Sequence, residues 1–209
     1  MSLSNSSTIP DSDALSGGFG NPVFDAQGVF KMMMDAMARP GTLQTVAADI
    51  APPAPLGIAA GAVGLTLCDN DTPAWLSSGL ARSTMPEWLG FHTGAPVTPE
   101  KLEARFAFIE AGVILASLNQ FDIGTQEYPD RSTTIVLEIT SLEGGKELAL
   151  SGPGIAGIRI IAPVGLPETF LRCWNDNRAL FPRGIDLVLT AGRQFLCLPR
   201  TTKIIATEM

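Results

Sequence analysis

Residues 55–76, PLGIAAGAVGLTLCDNDTPAWL, pass from an apolar Ala/Gly run through Asp69-Asn70-Asp71 into a second apolar segment. Pro55 suits a first helical turn, where its missing N–H has no intrahelical partner anyway. Leu56, Ala60, Val63 and Leu67 recur at helical spacing and predict a buried helix over 56–68. Gly57, Gly61 and Gly64 each cost about 1 kcal/mol against Ala inside a helix. Close packing against a neighbouring element would offset that cost. Asp69 and Asp71 then sit at the negative end of the helix dipole, the wrong end for carboxylates. That broken rule marks either a polar Asx turn or a site. A strand over 72–76 follows.

Working outward, residues 21–40, NPVFDAQGVFKMMMDAMARP, predict the first clear helix, ended by Pro40-Gly41. Phe30, Met33, Met34 and Met37 fall at i, i+3, i+4 and i+7 on one apolar face. Such a stripe is either core or the lining of a groove. Short strands are expected over 42–46 and 88–92, with 77–85 irregular between 72–76 and 88–92. Residues 104–110, ARFAFIE, alternate, so a strand is expected at 105–110 and a helix at 113–120. Residues 133–139, TTIVLEI, are β-branched and read as a strand. Gly144-Gly145 turns the chain into a returning strand over 147–151.

Gly152-Pro153-Gly154-Ile155-Ala156-Gly157 matches GxGxxG literally. A dinucleotide loop must open a helix, and the strand-like Ile158-Arg159-Ile160-Ile161 follows instead, so that reading is rejected. A helix from 166 to about 178 buries Phe170, Leu171 and Trp174. Residues 187–190 and 194–198 form a hairpin, and 203–206 a last short strand. The interleaved total, roughly eight strands and four or five helices, predicts an α/β fold: a mixed β-sheet with helices packed on it. Residues 1–20, rich in Ser, Gly and Asp, read as a mobile tail, and 21–209 as a single α/β domain.

The composition narrows the function classes. The chain has 209 residues, 45% apolar and 17% charged. About 25% charged is usual, so either a partner covers part of the surface or the core is large. A net charge of −7 argues against a nucleic-acid binder. No long apolar run suggests a membrane span, and the first residues lack the pattern of a signal peptide. A cytoplasmic protein is expected. Cys68, Cys173 and Cys197 are widely spaced and read as small buried hydrophobes. One histidine and no paired cysteines disfavour zinc, so no metal is expected.

The lysines, Lys31, Lys101, Lys146 and Lys203, do not occupy a loop that would hold an aldehyde cofactor. Phosphate-loop and nucleophile-elbow motifs are missing too. Three loops remain as site candidates. Asp69, Asp71 and Thr72 form the first. His92 and Thr93 form the second, where His92 is a general acid or base, or a structural residue. In the third, residues 199–202, Arg200 with Thr201 and Thr202 suits a phosphate or phosphonate. The alternative there is an arginine paired to a nearby carboxylate. Arg183, in FPRGID, carries the same ambiguity.

The segments DAQGVFKMMMDAMARPG, LTLCDNDTPAWL, FHTGAP, Gly124-Thr125, SLEGG, FPRGIDL and LPRTT occur in this order. Together, from about Asp25 to Lys203, they resemble the PhnH family, a subunit of the bacterial carbon–phosphorus lyase core complex. The resemblance implies organic phosphonate catabolism. The step involved couples a phosphonate to the ribose C1 of a nucleoside triphosphate and gives a ribose 1-phosphonate 5-triphosphate. It also implies a homodimer when isolated and assembly with other subunits of the G, I and J types. The implied fold is similar to that of pyridoxal-phosphate-dependent transferases, without the cofactor. A nucleoside triphosphate or a phosphonate is the implied ligand. No catalytic residue carries over, and Arg200 is preferred to Arg183 as the anion contact.

Overall fold

The computed structural model describes residues 15–207. Its central element is a six-stranded sheet in the order β1-β8-β7-β4-β3-β2. The strands are β1 (Gln44–Thr45), β2 (Ala74–Leu76), β3 (Phe106–Ile109), β4 (Thr134–Glu138), β7 (Asp186–Ala191) and β8 (Gln194–Leu198). β2, β3, β4 and β7 run parallel, and β8 and β1 close one margin antiparallel. A smaller antiparallel sheet joins β6 (Arg159–Ile161), β5 (Leu148–Ser151) and β9 (Lys203–Ala206).

The inner strands are buried on both faces, as parallel strands covered on both sides must be. On one face Phe108, Val136, Val188 and Phe195 meet the helices α1 (Pro22–Ala38), α2 (Ile58–Leu67) and α4 (Met85–Thr93). On the other, Ile109, Ile135, Leu137, Leu187 and Leu198 meet α5 (Phe170–Arg178) and the small sheet. The predicted mixed sheet with packed helices is therefore the architecture observed.

The opening stretch folds as read, with the helix starting two residues late. α2 is buried through six consecutive residues, Ala59 to Gly64. Its glycines serve close approach: a Cβ on Gly61 would lie 2.7 Å from Pro52 Cβ, and one on Gly64 3.2 Å from Phe108 Cζ.

Several expectations need correction. Residues 88–92 are helical, not a strand: Met85, Trp88 and Leu89, at i, i+3 and i+4, are buried together, and Gly94 at φ 76° caps α4. Residues 77–85 contain the short helix α3 (Ser78–Ala81). The helix expected at 113–120 is only a 3₁₀ turn, Leu118–Gln120. β5 does not return beside β4; it founds the second sheet. On α1 the buried residues are Val29, Met33 and Ala36, a face rotated by roughly a quarter turn from the Met-rich one. Phe30 and Met34 are 49% and 58% exposed. The small residues of α2 let α1 pack closely on it through Val29, Met33 and Ala36, with Phe30 and Met34 turned aside. Of the tail expected at 1–20, residues 1–14 lie outside the described residues. Residues 16–19 are docked: Ala51 N–H donates to Gly17 O at 2.9 Å, Trp88 Nε1–H to Ser16 O at 2.8 Å, and Phe19 packs on the core.

After the GxGxxG look-alike comes β6, a strand, as the sequence implied. Gly154 has φ +79°, and a Cβ there would lie 2.0 Å from Ala38 O. Gly154 lets the turn pass under the end of α1.

Candidate functional site

The parallel strands give the sheet two chemically different edges. At the carboxyl-terminal edge, Glu110 directly follows β3 and Glu138 ends β4. Their register, Ile109 beside Leu137, makes them neighbours. Both lie on the α2 side, one position past Ile109 and Leu137, which face the other way. Glu110 accepts from Ser77 Oγ–H (2.9 Å), Gly79 N–H (3.0 Å) and Leu80 N–H (2.8 Å). Glu138 accepts from Thr190 Oγ1–H (2.7 Å) and Gly192 N–H (3.1 Å). A Cβ on Gly57 would lie 2.3 Å from Glu138 Oε1, and one on Gly79 2.4 Å from Glu110 Oε1. These carboxylates fill the place where open α/β sheets usually receive ligands. The sequence reading passed over both. The available signal was a single acidic residue closing each apolar strand, in FAFIE and TTIVLE.

The amino-terminal edge gathers the arginines, with Arg200 at its centre. Its backbone N–H and Nε–H donate to Asp186 Oδ1 at 2.8 and 3.1 Å. Nη2 reaches Asp186 Oδ2 at 2.5 Å and Ser132 Oγ at 2.8 Å. Nη1 reaches Pro129 O at 2.7 Å and Pro182 O at 3.3 Å. All five guanidinium hydrogens therefore have partners within the chain. The geometry is that of the carboxylate-paired alternative, and it leaves no donor for an anion. Thr202 is buried, its carbonyl accepting from Trp174 Nε1–H at 2.9 Å, while Thr201 is half-buried. Arg183 is half-buried, and its side chain makes no hydrogen bond or ion pair among the described residues.

The other two loops meet at the far corner. Asp69 Oδ1 accepts from Asp71 N–H (2.9 Å) and Thr72 Oγ1–H (3.0 Å), which is an Asx turn. Gly94, next to Thr93, comes near Asn70: a Cβ there would lie 3.8 Å from Asn70 Cβ. Thr93 Oγ1–H donates to Leu89 O at 2.7 Å. His92 ends α4, its Nε2 3.3 Å from Ser16 O and its ring edge-on to Trp88 and Phe91. The candidates thus form two groups. Asp69, Asp71, Thr72, His92 and Thr93 lie beside β2; Arg183, Arg200, Thr201 and Thr202 lie beside β7. Three strand spacings, about 14 Å, separate them.

Cys68, Cys173 and Cys197 are free and buried. Burial, with the Asp69 carboxylate adding, pushes the Cys68 thiol up to about 12. Burial and Asp186 push Cys197 up as well. Such thiols are not nucleophiles at neutral pH. Among the described residues no helix is long and apolar enough to cross a membrane.

Comparison with known proteins bears on the whole chain. The family model described as bacterial phosphonate metabolism protein (PhnH) matches residues 17–205. The α-D-ribose 1-methylphosphonate 5-triphosphate synthase subunit PhnH of Rhizobium meliloti (strain 1021) is 58% identical over 193 residues, 92% of this chain and 96% of that protein. A putative C-P lyase subunit protein, HtxG of Stutzerimonas stutzeri, is 32% identical over 110 residues, 50% of this chain and 56% of that protein. With a model match from one end of the described fold to the other, this chain belongs to the PhnH family of bacterial phosphonate metabolism proteins.

Proposed function

We propose that this protein is a non-autonomous subunit of the system that forms a ribose 1-phosphonate 5-triphosphate from a nucleoside triphosphate and a phosphonate, in organic phosphonate catabolism. The observation that carries this reading is the 58% identity to a named synthase subunit over nearly the full length of both chains. The site geometry supports it. Glu110 and Glu138 occupy the usual ligand crevice, Arg200 is enclosed, and the buried thiols are inert. The chain works in the cytoplasm as one α/β domain, is a homodimer when isolated, and joins carbon–phosphorus lyase subunits of the G, I and J types. Its scaffold is akin to that of pyridoxal-phosphate-dependent transferases and works without the cofactor. Exposed Phe30 and Met34 on α1 offer apolar surface for assembly.

Co-expression with the neighbouring pathway subunits, followed by size-exclusion chromatography with mass detection, tests this. Co-elution in one stoichiometric particle is expected. Elution as a separate dimer, where the other subunits assemble, would overturn it in favour of an independent binding protein or transferase.

A further inference from the structure

Arg200 does more than pair with Asp186. Its Nη1 holds Pro129 O and Pro182 O together, so the turns carrying those residues are neighbours. Gly184 N–H, donating to Ile123 O at 2.8 Å, ties the same two segments a second time. Each turn then presents an aromatic ring and an arginine. Tyr128 is 52% exposed, with the Arg131 guanidinium 4.1 Å from its ring centroid. Phe181 is 64% exposed, and Arg183, two residues on, has no side-chain partner among the described residues.

We propose that these turns form a nucleoside triphosphate site, with Phe181 and Tyr128 stacking the base and Arg183 and Arg131 holding phosphate oxygens. The inference rests on the functional reading above and locates its nucleotide. Two physical arguments carry it. The hydrogen-bonding groups differ across the sheet: glutamates close the carboxyl-terminal edge, while at the opposite one the Arg131 and Arg183 guanidinium groups have no carboxylate partner among the described residues. An oligophosphate is repelled from the first edge, and the second offers it guanidinium donors. Large exposed rings beside guanidinium groups are also the combination that binds a base and a phosphate at once. Asp122 and Asp186 face this edge but are paired with Arg105 (3.7 Å) and Arg200. Glu127 and Asp130 are exposed on the first turn. They cancel the diffuse positive field, so recognition depends on direct guanidinium contacts.

The test is calorimetric titration of the full chain with ATP, tripolyphosphate, methylphosphonate and adenosine. Saturable ATP binding is expected, tighter than that of tripolyphosphate. Arg183→Ala should weaken ATP and tripolyphosphate about tenfold, the worth of one charge-assisted hydrogen bond. Phe181→Ala should weaken ATP and leave tripolyphosphate unchanged. Arg172→Ala, an exposed arginine on α5, is the control and should bind as the parent does. No saturable ATP binding at millimolar concentration would overturn the site, as would equal losses in Arg183→Ala and Arg172→Ala. Methylphosphonate binding that competes with ATP and ignores Phe181→Ala would also overturn it, by making the site one for the phosphonate alone. Co-assembly with the pathway subunits in a chain that binds no ATP would remove this site and leave the subunit reading standing.

Discussion

Replacing Gly57 by alanine puts a methyl group where the Glu138 carboxylate lies. Gly57 caps α2 at φ −74° and ψ 161°, a conformation open to any residue, so the backbone itself imposes no glycine. The constraint is steric, with the ideal Cβ 2.3 Å from Oε1 and 2.7 Å from Oε2. An ordinary contact needs about 1 Å more. The carboxylate cannot swing away freely, because Thr190 Oγ1–H and Gly192 N–H hold it at 2.7 and 3.1 Å. Weakening or losing one of these charge-assisted bonds costs about 1.5–3 kcal/mol. The lower entropy of the unfolded alanine chain returns about 0.4–1 kcal/mol. The expected net loss is about 1.5 kcal/mol, read by urea denaturation at matched m-values. In a Glu138→Ala background the methyl has room, and Gly57→Ala should be neutral or slightly stabilising. In Glu138→Gln, which keeps the bulk, the cost should persist. A Gly57→Ala effect equal in all three backgrounds would refute the steric account.

Further predictions follow from the same contacts. Arg200→Ala should cost about 3–5 kcal/mol, because Asp186 is left partly buried without its countercharge, keeping only the backbone N–H of residue 200; a loss below 1 kcal/mol by urea melt would show the clamp to be unimportant. Gly154→Ala should destabilise by at least about 3 kcal/mol, since it combines positive φ with a backbone clash; wild-type stability would contradict the tight turn under α1. The raised thiols set a pH dependence. They stay protonated in the fold but ionise in the unfolded chain above about pH 8.5. The unfolded state then binds fewer protons, so stability falls as pH rises, by about 1.4 kcal/mol per pH unit per thiol, until the folded Cys68 thiol ionises near pH 12. Cys197→Val should remove one thiol's share of that slope between pH 9 and 11. A thiol reagent should label the native protein slowly and the urea-unfolded protein at once.

How far the chain could be read in advance depended on where its signals lie. Local pattern located α2, β3, β4, α5, the β7–β8 hairpin and the loops, because periodicity and breaker residues act within a few positions. It misplaced residues 88–92, where five residues of alternation also fit a helix burying Met85, Trp88 and Leu89. It set the buried face of α1 about a quarter turn off: Met33 is buried and Met37 packs on the core, but Phe30 and Met34 face outward while Val29 and Ala36 face in.

Composition and motif order by themselves determined the α/β class, the buried thiols, the rejection of the glycine motif as a nucleotide loop and the family. Those properties depend on residue type and near-neighbour spacing. Only the tertiary structure decided that Arg200 is enclosed by Asp186, Ser132, Pro129 and Pro182. Only it showed that Glu110 and Glu138 fill the strand-end crevice and that the candidate loops fall into two groups. An arginine's role depends on which acceptors surround it. Here those acceptors come from residues 14, 18, 68 and 71 positions away, a separation that no local pattern encodes.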